Sequence, residues 1–95
     1  MKGIRRLVLD VLKPHEPQNT TFAIKLSEVE NVAGVNVALS EIDQATESVK
    51  ITIVGDDLDY AKIKKVIEDL GGVIHSIDEV VAGKVIVESV RTEQD

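Results

Sequence analysis

Cysteine and tryptophan are both absent from this 95-residue chain, and its only aromatics are one tyrosine and one phenylalanine. Without cysteine there is no disulfide framework, no thiolate metal site and no cysteine nucleophile. The shortage of aromatics removes the stacking platforms that hold single-stranded nucleic acid. Positive charge is scarce too: 11 Lys and Arg face 17 Asp and Glu, a net charge of −6. Apart from Arg5-Arg6 and one helix face the basic residues are scattered, so no patch is available to neutralise a phosphate backbone. Long apolar runs are missing, and none approaches the roughly 20 residues of a membrane span. The run after Met1-Lys2-Gly3-Ile4-Arg5-Arg6 is too short for a signal peptide and lacks a cleavage site. The expectation is one small cytoplasmic domain, residues 1–95, that binds neither nucleic acid nor membrane.

What is present is periodic. From Ile4 to Lys13 the chain alternates, with Leu7, Leu9 and Val11 on one face and Arg6, Val8, Asp10 and Leu12 on the other, which predicts a strand. Lys13-Pro14-His15-Glu16-Pro17 breaks it, since proline cannot donate to a ladder. Phe22, Leu26, Val29 and Ala33 then recur at helical spacing, predicting a helix over about 17–31. Gly34 opens a second strand, with Val35, Val37 and Leu39 on one face. A polar turn from Glu41 to Glu47 leads to Val49, Ile51 and Ile53, and two strands so joined read as a hairpin.

Gly55-Asp56-Asp57 punctuates the chain next. Ile63, Val66, Ile67 and Leu70 stripe a helix over about 58–70, with acids at its start and Gly71 placed for a left-handed cap. A last strand runs from Gly71 to Gly83, and Val85-Ile86-Val87 is β-prone enough for an extra C-terminal strand before a polar end expected to fray. The order β-α-β-β-α-β predicts a ferredoxin-like α+β sandwich, an antiparallel sheet with two helices on one face. Its other face should expose Val8, Leu12, Ala38, Ile42, Val54 and part of the last strand. An apolar patch there, with the C-terminal strand as a pairing edge, predicts a homo-oligomer.

Several stretches resemble a family of small archaeal proteins known as a domain of unknown function. They are Leu9-Asp10-Val11-Leu12-Lys13-Pro14, Gly34-Val35-Asn36, the turn containing Glu41, Asp43, Thr46 and Glu47, and Lys50-Ile51-Thr52. The most specific is Gly71-Gly72-Val73-Ile74-His75-Ser76-Ile77-Asp78-Glu79-Val80-Val81-Ala82-Gly83. The resemblance implies a ferredoxin-like fold in a cytoplasmic, oligomeric archaeal protein and implies no activity.

Chemistry-bearing residues gather in two places. Asp10, His75, Asp78 and Glu79 lie on the first and last strands, which this fold makes neighbours. Carboxylates with one imidazole suit a divalent cation, with oxygen ligands favouring Ca²⁺, Mg²⁺ or Mn²⁺ and histidine admitting Zn²⁺. Strict alternation puts His75 and Glu79 on one face and Asp78 on the other, which argues against one compact site unless a bulge intervenes. The turn acids Glu41, Asp43 and Glu47 are a second candidate group, with Glu41 and Asp43 kept as possible ligands. In both places the simpler reading is polar groups satisfied by solvent, hydrogen bonds or subunit contacts. Asp56, Asp57 and Asp59 read as helix-start acids, and His15 as an exposed loop residue.

No phosphate loop, nucleophile elbow or His-Glu-x-x-His motif occurs. The loop after the first strand lacks the arginine that an acylphosphatase-like site needs. The leading expectation is therefore a non-enzymatic homo-oligomeric module, regulatory in kind, that binds a small ligand or divalent cation at strand ends or between subunits. The alternative is a metal-assisted hydrolase or isomerase using His75 with Asp10 or Asp78. A third reading is an adaptor whose edge strand captures a peptide.

Overall fold

The computed structural model describes residues 3–90; residues 91–95, part of the polar end expected to fray, lie outside the described residues. Six elements follow in order: β1 (Ile4–Pro14), α1 (Asn19–Ser27), β2 (Val32–Ile42), β3 (Thr46–Leu58), α2 (Tyr60–Asp69) and β4 (Val73–Ala82). The strands form one sheet in the order β2-β3-β1-β4, with all neighbouring pairs antiparallel. Each helix thus joins two strands that run the same way with a third inserted between them, the split βαβ arrangement used twice. This is the ferredoxin-like α+β fold expected from the sequence.

Alternation decides the core. Leu7, Leu9 and Val11 of β1 and Val49, Ile51 and Ile53 of β3 pack with Phe22 and Leu26 of α1 and Ile63 and Ile67 of α2. α2 starts where expected, at an Asp59 side chain that accepts the Lys62 N–H at 3.3 Å. It ends at Gly71, whose φ of +90° lets the Gly71 and Gly72 N–H groups turn back to the carbonyls of Glu68 and Ile67. That is the left-handed helix stop for which glycine is preferred.

Three boundaries differ from expectation. α1 ends at Ser27; Val29 still packs on the core from the turn, but Ala33 belongs to β2. β3 does not stop at Gly55. It continues through Asp56 and Asp57 to Leu58, because Gly55 lets the strand pass under the Asn31 carbonyl, where an added Cβ would lie 2.1 Å from that oxygen. The Asp56 N–H donates to the same carbonyl. Val85-Ile86-Val87 forms no fifth strand. These residues are exposed, and the chain there is held by side chains instead of a ladder: Arg5 donates to the Gly83 and Lys84 carbonyls and Arg6 forks onto Glu88.

The sheet face away from the helices is less apolar than expected. Leu12, Ala38 and Val54 are exposed on it, but Val8 is buried, and Asp10, Lys50, Thr52 and Asn36 occupy its middle. Ile42 leaves this face altogether. A bulge at Ser40 shifts the register, so that Ile42 stands opposite Glu47 on the side that carries the helices. Uncovered apolar residues stand on both edge strands, Leu39 and Ile42 on β2 and Ile77 and Val80 on β4. Ile77 and Val80 stand opposite the core residues Leu9 and Leu7, yet remain 47% and 52% exposed, beyond the reach of the helices.

Candidate functional site

β4 breaks the strict two-residue alternation twice. Ile74 pairs with Val11 and Ser76 with Asp10, leaving His75 as an extra residue; Ile77 pairs with Leu9 and Glu79 with Val8, leaving Asp78 as another. Bulges of this kind re-aim side chains. Here they turn His75 and Asp78 toward the face that displays Asp10. The Ser40 bulge in β2 does the same from the far edge. Two shallow depressions result, sharing Asp10 and Ser48. One, of about 320 Å³, is lined by Asp10, Ser40, Glu41, Ser48, Lys50 and Asp78. The other, of about 220 Å³, is lined by Asp10, Leu12, Ser48 and His75.

The trough therefore unites four of the six candidate ligands: Asp10, Glu41, His75 and Asp78. Asp78 is already engaged, accepting the Ser76 hydroxyl at 2.7 Å. Glu79 is drawn away to an ion pair with Arg6 at 3.1 Å, so its charge is matched within the chain. Asp43 lies in the β2–β3 turn, where its N–H donates to the Thr46 carbonyl, and it lines neither depression. Among the described residues no three His, Asp or Glu side chains converge closely enough to hold a metal ion. The trough can offer carboxylates, one amine, one imidazole and the hydroxyls of Ser40 and Ser48 to a polar ligand.

A second polar cluster lies at the other side of the sheet, where the sequence offered Glu47 only as a turn acid and His15 only as an exposed loop residue. Lys13 shares the face of Leu7, Leu9 and Val11 and is almost fully buried. Its Nζ lies 5.2 Å from the centre of the Phe22 ring and donates to Glu47 Oε1 at 3.1 Å. The second Glu47 oxygen is 3.0 Å from His15 Nδ1, and His15 Nε2 is 3.0 Å from the Gln44 carbonyl. Glu47 thus accepts from two cations when His15 is protonated. The hydrogen bond from His15, then that from Lys13, holds the Glu47 carboxyl below the ordinary range. Reciprocally, the Glu47 carboxylate, then the Gln44 carbonyl, raises the His15 imidazole above its ordinary value. One signal was available in the sequence: a lysine on the core parity of β1 needs an anionic partner.

Arg6 is the third charged centre. Its guanidinium bridges Glu79 of β4 and Glu88 beyond it, at 3.1 and 2.8 Å. These two carboxylates hold Arg6 even more firmly protonated than usual, Glu88 being the larger influence, and Arg6 in turn lowers Glu88. No helix among the described residues is long and apolar enough to cross a membrane.

Comparison with known proteins agrees with the resemblance carried by the β4 stretch. The chain is 61% identical over 95 residues to the uncharacterised protein MJ0319 of Methanocaldococcus jannaschii, an alignment that covers 100% of this chain and 98% of that protein. The family model of the uncharacterised ArCR proteins, DUF211, matches residues 5–95. With the match running from β1 through β4 and beyond, the chain belongs to the DUF211 family of uncharacterised ArCR proteins.

Proposed function

We propose that this chain is a non-enzymatic, homo-oligomeric module whose copies meet through β4 and the segment after it, with the Asp10 trough as a binding place for a small polar ligand or divalent cation. The observation that carries this reading is the exposure of Ile77 and Val80 on the core side of an unpaired edge strand. Covering two half-exposed aliphatic side chains is worth roughly 2 kcal/mol per copy, and the free backbone groups of an edge strand add a reason to pair. Val85, Ile86 and Val87 add further exposed apolar side chains in the segment after β4, Ile86 lying beside Val32, Ala33 and Val54. A net charge of −6 supports a partner that is neither nucleic acid nor an anionic surface.

Sedimentation velocity at micromolar concentration tests the assembly. The expected result is a mass several times the 10.4 kDa of one chain; a single-chain mass throughout overturns it. Truncation after Gly83 then separates the contribution of the terminal segment from that of β4.

A second reading, a metal-assisted hydrolase or isomerase, is favoured by one observation: the bulges bring His75 and Asp10 to the same depression. It requires a cation held by Asp10 with Asp78 or Glu41. Titration calorimetry with Ca²⁺, Mn²⁺ and Zn²⁺ tests this. Binding lost in a folded His75→Ala or Asp10→Asn variant supports it, and absence of binding for all three ions removes it.

A further inference from the structure

We infer that His15 is a protonation-dependent clasp that fastens the tip of the β2–β3 hairpin to the loop between β1 and α1. The imidazole sits between two oxygens, Glu47 Oε2 and the Gln44 carbonyl, each 3.0 Å from a different ring nitrogen. Neither oxygen carries a hydrogen in this arrangement, so both contacts are hydrogen bonds only when both ring nitrogens are protonated, which is the cation. A neutral ring has one N–H and one lone pair. The lone pair then faces an oxygen lone pair, and one contact must open.

The chemistry also says which contact opens. A carboxylate is a stronger acceptor than an amide carbonyl, so the remaining N–H stays with Glu47 and Gln44 is released. Lys13 Nζ donates from β1 to the other Glu47 oxygen, Oε1, a contact made without the imidazole. The charged groups around the ring are thus Lys13 from β1, Glu47 from β3, Glu16 beside it in the chain, and Asp43, which precedes Gln44 in the turn. The anion and the carbonyl both favour the cation, and the titration of His15 is accordingly displaced upward from 6.5.

The turn so released matters because its two strands reach the trough. Ser40 and Glu41 precede it on β2 and Ser48 follows it on β3, and all three line the depression around Asp10. Protonation of a residue on the helix-bearing side thereby sets the freedom of the hairpin end that frames the opposite face. This inference does not depend on subunit assembly or on a bound cation.

Long-range ¹H–¹⁵N correlation spectra of the full chain across pH 5–9 report the charge state and tautomer of His15, while amide exchange reports the turn. The expected result is a cationic ring below the His15 titration, and above it a neutral ring with the proton on Nδ1. Protection of the Asp43 amide, which donates to Thr46 across the turn, should fall severalfold over that same pH step after correction for intrinsic exchange. A His15→Gln variant should remove the step. Titration at or below pH 6.5, a neutral ring protonated on Nε2, unchanged turn protection, or the same step in His15→Gln would each overturn the clasp.

Discussion

Glu47 shows how one carboxylate can fix the pH range in which a small fold is most stable. It is lowered from its ordinary 4.5, first by His15 and then by Lys13, so its contribution is present above that value and is lost as pH falls through the lower folded value. His15 is raised from 6.5, so its contribution is fully present below 6.5 and is lost as pH rises through the higher folded value. The two signs together leave a window, from pH 4.5 to 6.5, in which the whole network is charged and paired. Glu47→Gln should therefore lower the urea midpoint most inside that window. The difference should shrink in acid, where Glu47 is protonated anyway, and shrink partly in alkali, where only the Lys13 pair remains. A difference that is flat from pH 3 to 9 would show that the cluster contributes nothing through its charges.

At the scale of elements, the fold depends on places where one backbone passes close to another. Gly55 is the sharpest. It lies inside β3, and the atom an alanine would meet at 2.1 Å is a backbone oxygen of Asn31, which cannot rotate away. Gly55→Ala should cost roughly 3 kcal/mol, at the upper end of overpacking penalties. Gly34→Ala, on the neighbouring strand with its nearest contact at an ordinary 3.7 Å, should change stability by under about 0.5 kcal/mol. Denaturant titration of the two variants checks the contrast. The same contacts explain what the sequence could convey. The stripes Leu7-Leu9-Val11, Val49-Ile51-Ile53 and Ile63-Ile67 are periodic, and from them the element order and the core followed directly. Gly55 read as a strand end because its role depends on Asn31, 24 residues earlier. The trough was half legible. Asp10, His75 and Asp78 stood out by residue type, but parity separated them, since a bulge is a mismatch between two strands and neither strand shows it alone. His15 and Glu47 were passed over for the same reason: a loop histidine and a turn acid have meaning only once β1 and β3 are paired.

For the molecule as a whole, the arrangement of apolar surface is the guide. A chain of this size buries a modest share of its surface, and this one leaves Ile77 and Val80 about half exposed along the β4 margin, with Val85 and Val87 of the terminal segment more exposed still. The β2 margin carries exposed aliphatic side chains as well, Leu39 and Ile42, beside the exposed polar Ser40 and Glu41. The terminal segment is tied back to β1 and leaves Ile77 and Val80 uncovered, through Arg5 on the Gly83 and Lys84 carbonyls and Arg6 on Glu88. Such a margin is stabilised by association, and association links stability to concentration. If copies meet through β4, each hundredfold excess over the dissociation constant adds about 2.7 kcal/mol, equivalent to roughly 10 °C or more in the melting temperature of a domain this small. The wild-type melting temperature should therefore climb with protein concentration. Replacing Ile77 and Val80 together by threonine keeps β-branched residues in the strand while removing apolar area from the margin, and neither position is buried in the single chain. The double variant should fold, sediment as one chain, and melt at a temperature independent of concentration. Wild-type melting that ignores concentration, or a double variant that assembles as before, would place the contact somewhere other than β4.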